Sequence, residues 1–180
     1  THAGPQDTGR IRSVVALGTL LANGIGDTIR ISYASDHLGE VEDGLELLYS
    51  LGLRERAGAE LIACPTCGRI QVDLFSLVKD VRALLAREIT LPIKVAVMGC
   101  VVNGPGEAEG ADVAVFAGDR RGIIYVQGER VANVTEEEIL PALLGECRKF
   151  QDRVKAGEVK LGEKKVEIVP PDPVGELGSG

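Results

Sequence analysis

Four cysteines carry the chemistry open to this sequence: Cys64 and Cys67 in a Cys-Pro-Thr-Cys loop, then Cys100 and Cys147. Thiolates are soft metal ligands, and several at short spacing suit an iron–sulfur cluster or zinc. A single Cys-x-x-Cys is also the spacing of a thioredoxin-like dithiol. Such dithiols sit at a helix N-terminus after the first strand, and that reading leaves Cys100 unexplained. Each cysteine has a plainer reading as well, a small buried apolar side chain. Four cysteines in 180 residues are too few for a disulfide-stapled scaffold.

The elements that must position these residues can be read from the periodicity. Glu60–Ala63 is a short apolar strand running straight into Cys64, and Ile93–Met98 is a second that runs into Gly99-Cys100. Between them Leu74, Leu77, Val78, Val81, Leu84 and Leu85 follow the spacing of an amphipathic helix. Strand, helix and strand make a βαβ unit, so the two strands are parallel and their C-terminal ends share one edge. Ligand sites of open α/β sheets lie at that edge. Cys64, Cys67 and Cys100 are therefore expected to converge there.

A fourth ligand is less plainly marked. Leu140, Leu143, Leu144, Cys147 and Val154 share one face of the last helix, which makes Cys147 a packing residue. A ligand from a flexible loop near Cys100 fits better, and Glu107 is the one available. Glycines flanking Pro105 let the backbone double back there. By spacing alone, Glu107 reads first as a solvated surface carboxylate.

Around this unit the chain falls into three parts. Residues 1–57 open with an apolar helix over Ile11–Ala22, stopped by Asn23-Gly24-Ile25-Gly26-Asp27. Thr28–Ser32 alternates as a short strand, and a helix over Gly39–Leu51 ends at Gly52. The first helix is apolar nearly all round, as suits burial against other elements. One strand cannot close a sheet, so this part either joins the later strands or ends a larger α/β domain. Residues 58–155 continue past the βαβ unit with strands over Ala111–Ala117, Gly122–Val126 and Glu129–Val134, turning at Arg120–Gly122 and Gln127-Gly128. Thr135 and Glu138 mark a capping box, and Pro141 is expected to cost the last helix a hydrogen bond or a kink near its start. Residues 156–180 read as a polar tail with an edge strand at Lys165–Val169.

Composition excludes several classes. Basic residues number 20 against 27 acidic, for a net charge of −7, which argues against nonspecific nucleic-acid binding and docking on anionic membranes. Aromatics are 3%, too few for base-stacking platforms, while 44% apolar residues suffice for an aliphatic core. No apolar run approaches a membrane span and no signal peptide opens the chain; it is the cysteines, too sparse for a disulfide scaffold, that make a cytoplasmic protein the expectation.

Cys64-Pro-Thr-Cys67-Gly-Arg69 and Met98-Gly-Cys100-Val-Val-Asn103-Gly-Pro-Gly-Glu107 together closely resemble the C-terminal iron–sulfur domain of the 4-hydroxy-3-methylbut-2-en-1-yl diphosphate synthase family. Gly18–Ser32 is similar to the last helix–strand step of that family's TIM barrel. The resemblance implies an α/β fold, a small mixed sheet flanked by helices, preceded by the terminal elements of a TIM barrel. It implies an oxidoreductase of non-mevalonate isoprenoid synthesis that reductively opens and dehydrates 2-C-methyl-D-erythritol 2,4-cyclodiphosphate. Cys64, Cys67 and Cys100 would hold three irons of a [4Fe–4S] cluster and Glu107 the fourth. A carboxylate is a harder, more exchangeable ligand than thiolate, which leaves that iron open to a substrate oxygen. Asn103 would hydrogen-bond the substrate, and Arg30 and Ser32 would bind its diphosphate from the barrel interior. Electrons would come from ferredoxin or flavodoxin, docking on a locally basic face around Cys64 and Arg69. The full protein would be a homodimer in which one subunit's cluster domain caps its partner's barrel. Much of the barrel's substrate pocket has no counterpart in this sequence, so the chain reads as a C-terminal fragment, inactive alone. The rival readings are a non-catalytic electron-transfer module with four cysteine ligands, Cys147 among them, and a structural zinc domain.

Overall fold

A computed structural model of the protein describes residues 4–100 and 104–163, apart from the side chains of Pro105 and Glu107. The chain divides into two compact units, one running to Arg56 and the other starting at Ala57. The edge strand expected at Lys165–Val169 lies outside the described residues.

The first unit holds helices α1 (Gln6–Ala22) and α2 (His37–Ser50). α1 starts directly after Pro5, earlier than its apolar run suggests, because a proline's fixed φ leads readily into a helix. It stops where expected, with Gly24 and Gly26 at φ +72° and +104°. Asp36 caps α2 by accepting the Leu38 N–H at 3.3 Å. At its other end Gly52 (φ +67°) donates to the Tyr49 carbonyl and Leu53 to that of Leu48, a Schellman pair that needs a left-handed residue.

Two expectations for this unit are corrected. Residues 28–33 form no strand and belong to no sheet, since no second strand stands beside them in this unit to complete a ladder. Their alternation survives nonetheless: Ile31 and Tyr33 are buried while Arg30, between Ile29 and Ile31, faces solvent. α1 is not buried all round. Gly9 and Ser13 are its buried residues, whereas Ile11, Val14, Val15 and Leu20 are exposed.

The second unit is a five-stranded sheet in the order β1 (Glu60–Ala63), β2 (Lys94–Met98), β3 (Val113–Gly118), β4 (Arg121–Val126), β5 (Glu129–Thr135). β1, β2 and β3 run parallel and β3, β4 and β5 antiparallel, so the sheet is mixed. Helix α3 (Leu74–Glu88) crosses from β1 to β2, and the single turn α4 (Gly104–Glu107) precedes β3. A 3-10 turn (Glu136–Glu138) leads into α5 (Ile139–Lys155). Both hairpins use two-residue turns with left-handed backbone. Asp119 (φ +48°) and Arg120 (φ +58°) form the first, one residue earlier than the sequence suggests; Gln127 (φ +49°) and Gly128 (φ +85°) form the second.

The core lies at the middle of this sheet. Val95, Val97, Val113 and Val115 are fully buried and pack with Ile139, Leu143, Cys147 and Phe150 of α5 and Val81 and Leu85 of α3. The capping box forms: Glu138 accepts from the Thr135 N–H at 3.0 Å and its hydroxyl at 2.8 Å. Pro141 falls in the first turn of α5, where a backbone N–H would lack an intrahelical acceptor, and the helix continues unbroken to Lys155. Behind β3, buried Asp112 accepts the Lys94 N–H at 2.9 Å and the Gly162 N–H at 2.7 Å, tying the segment after α5 back to the sheet.

Candidate metal centre

β1 and β2 are adjacent and parallel, with Ala63 beside Val97, so Cys64 and Gly99-Cys100 leave the sheet at the same edge. The Cys64 N–H donates to the Val97 carbonyl at 3.3 Å, extending the ladder by one bond. Across the gap the Gly99 N–H donates to the Cys64 sulfur at 3.3 Å. Cys64 and Cys100 are buried, Cys67 is exposed, and all four cysteines are free thiols. Among the described residues no three His, Cys, Asp or Glu side chains are gathered for a single metal ion.

The loop between Cys64 and α3 is tightly specified. Thr66 has φ +44°, a region that costs a β-branched residue roughly 1–2 kcal/mol. This turn separates the two thiols, leaving Cys64 inward and Cys67 outward. Ile70 donates back to the Cys67 carbonyl at 3.3 Å, and Gln71 accepts the Asp119 N–H at 2.7 Å, which ties the loop to the β3–β4 turn. α3 begins only at Leu74, capped by Asp73, so neither cysteine stands at a helix N-terminus as a thioredoxin-like dithiol would. Hydrogen bonds from Ser76 hold the Asp73 carboxyl below its usual range.

After Cys100 the chain reaches α4 rather than a long flexible loop. Ala108 donates to the Gly104 carbonyl at 2.8 Å and is buried in the core. A Cβ on Gly104 would lie inside the Phe116 ring, so only glycine lets this turn sit on β3. Glu107 is the last residue of α4; its side chain, like the whole of Asn103, is outside the described residues.

Cys147 stands apart. It is fully buried on the core face of α5, and its thiol is pushed up to about 12, by burial first and then by Glu146 and Asp112. Such a thiol stays protonated and packs. Of the cations near the edge, Arg69 on the cysteine loop and Arg120 and Arg121 at the β3–β4 turn are exposed, with acidic Asp119 beside them. In the first unit Arg30 lines an open groove with Glu40, Val41, Leu45 and Leu48, and Ser32 is half-buried.

Three thiols on two loops at one sheet edge, with a backbone amide already aimed at one sulfur, fit an iron–sulfur group. Residues 60–149 match the model of the GcpE protein C-terminal domain, and residues 1–45 that of the GcpE TIM-barrel domain. The chain belongs to the GcpE family. Its relatives within that family include a 4-hydroxy-3-methylbut-2-en-1-yl diphosphate synthase (flavodoxin) of Symbiobacterium thermophilum, 50% identical over 163 residues, or 90% of this chain and 44% of that protein. The enzyme of that name from Tropheryma whipplei is 50% identical over 171 residues, 94% of this chain and 43% of its own length. One from Streptomyces avermitilis is 45% identical over 168 residues, 93% and 43%. The chain thus spans less than half the length of these GcpE relatives. No helix among the described residues is long and apolar enough to cross a membrane.

The cysteine edge was legible in the sequence because βαβ geometry forces it. The Gly99 amide, the left-handed Thr66 and the Gln71 tie were not. Their only local signals were a glycine before Cys100 and a proline inside the Cys-x-x-Cys.

Proposed function

We propose that this chain supplies the iron–sulfur part of a 4-hydroxy-3-methylbut-2-en-1-yl diphosphate synthase. That enzyme opens the ring of 2-C-methyl-D-erythritol 2,4-cyclodiphosphate, taking up two electrons and two protons and releasing water. The observation that carries the reading is the pairing of Cys64 with Gly99-Cys100 across adjacent parallel strand ends in a GcpE-family chain. Cys64, Cys67, Cys100 and Glu107 are the residues proposed to hold a [4Fe–4S] cluster, which when bound supplies single electrons to the substrate. Arg30 and Ser32 bind the diphosphate and Asn103 orients the substrate by a hydrogen bond. A cytoplasmic flavodoxin or ferredoxin delivers the electrons, docking near the exposed Cys67, Arg69 and Arg120. The working protein is a homodimer, each cluster domain closing its partner's barrel and excluding water from the reacting centre. The boundary between barrel end and cluster domain falls between residues 57 and 58.

Anaerobic reconstitution tests this. About four irons and four sulfides per chain are expected, with a brown colour that dithionite bleaches. Cys147→Ser should keep the cluster and Glu107→Ala should alter its spectrum. Zinc without sulfide, or a cluster lost in Cys147→Ser and unchanged in Glu107→Ala, overturns the reading.

A further inference from the structure

We propose that Gly99 is a positioning residue whose backbone N–H holds the Cys64 sulfur and thereby sets the electron affinity of the group that Cys64 ligates. The inference rests on the iron–sulfur reading above and adds a residue to it.

The Gly99 amide donates to the buried Cys64 sulfur at 3.3 Å. Sulfur is a weak acceptor as a thiol and a much better one as a thiolate ligand carrying negative charge. A hydrogen bond to a ligating sulfur favours the reduced, more negative state and raises the potential of a cluster. A side chain at residue 99 would crowd this contact. A Cβ there would come within 3.2 and 3.3 Å of the two γ-carbons of Ile70 and 3.5 Å of Leu74 Cδ2. The backbone of Gly99 is not in the left-handed region, so crowding against Ile70 and not φ favours the glycine. Ile70 is the same residue whose N–H holds the Cys67 carbonyl. A displacement of Ile70 therefore disturbs both ends of the Cys64–Cys67 loop.

The crowding defines a rescue experiment. Gly99→Ala should push strand end and loop apart, and Gly99→Ala combined with Ile70→Ala should bring them back, because the γ-carbons that collide are gone. In the anaerobically reconstituted full chain, redox titration by EPR should show a more negative potential in Gly99→Ala, with the double variant returning toward the parent. In the metal-free chain, hydrogen exchange of the residue 99 amide, relative to its intrinsic rate, should be roughly fivefold faster in Gly99→Ala than in the parent. Should Gly99→Ala fail to fold, Cys64→Ala tests the same bond from the other side: hydrogen exchange of the Gly99 amide in the metal-free chain should accelerate roughly fivefold while that of Val115 stays constant. A parent that takes up iron and sulfide, with potential and residue 99 amide exchange unmoved by Gly99→Ala, overturns the role of Gly99 and leaves the cluster reading standing. A Gly99 amide whose exchange ignores Cys64→Ala overturns it equally. A parent that assembles no cluster overturns the cluster reading itself, and with it the effect on potential.

Discussion

The two units of this chain use apolar residues in opposite ways. In the second unit the central strands are sealed: Val95, Val97, Val113 and Val115 are 0% exposed. In the first, Ile11 is 66%, Val15 64% and Val41 62% exposed. Buried large apolar residues there are Ile31, Tyr33 and Leu47. Both stretches are comparably aliphatic in sequence, so composition does not separate them. The difference is one of partners. Strands β1 to β5 find their neighbours within a short stretch of chain, whereas the segment between α1 and α2 has none to pair with. An apolar side chain says that it should be covered; it does not say by what.

This contrast can be broken most forcefully by separating the units. Residues 57–180 alone are expected to melt in one cooperative transition followed by circular dichroism, and residues 1–56 alone to show none, because they bury too little apolar area to offset chain entropy. A cooperative melt from the short piece would sink the comparison. Point substitutions sharpen it. Leu143→Ala, at a site 1% exposed on α5, should cost about 3 kcal/mol in urea unfolding. Val15→Ala, on the open face of α1, should change stability by less than about 0.5 kcal/mol. Similar losses at both sites would mean that the first unit is better packed than its exposure indicates.

A pH-dependent effect concerns Cys147, whose thiol is pushed from 9.0 up to about 12. In the unfolded chain this thiol ionises near its ordinary value, while the folded protein keeps the proton. The unfolded state therefore gains stability from ionisation first, and folding free energy should fall as pH rises from 9 toward 12. Cys147→Ala should remove that part of the pH dependence at a cost of about 1 kcal/mol at neutral pH. Urea midpoints of parent and variant, compared between pH 8 and 10, measure it; parallel curves would place Cys147 outside the core.

Much of the second unit could be read without coordinates. Short apolar runs bounded by turn residues marked its strands, the spacing Leu74 to Leu85 marked α3, and Thr135 with Glu138 marked the entry to α5. These signals are local, set by side-chain direction within one element. What escaped depended on contacts between elements. Thr28–Ser32 alternates like a strand, yet it lies in no sheet, since a ladder needs a partner. The stretch after Cys100 reads as a loop because glycines and a proline dominate it. It contains a helical turn because Gly104 can lie against the Phe116 ring.

The same division runs through the candidate centre. The sequence by itself determined that Cys64 and Cys100 end parallel strands at one edge and that Cys147 belongs to a packing stripe. Periodicity and chain connectivity allow little else. Only the tertiary structure decided that Cys64 turns inward while Cys67 stays exposed, and that the amide reaching the Cys64 sulfur belongs to Gly99. That bond spans 35 positions in sequence and depends on Ile70 filling the space a side chain would take, a fit that exists only once both loops are packed.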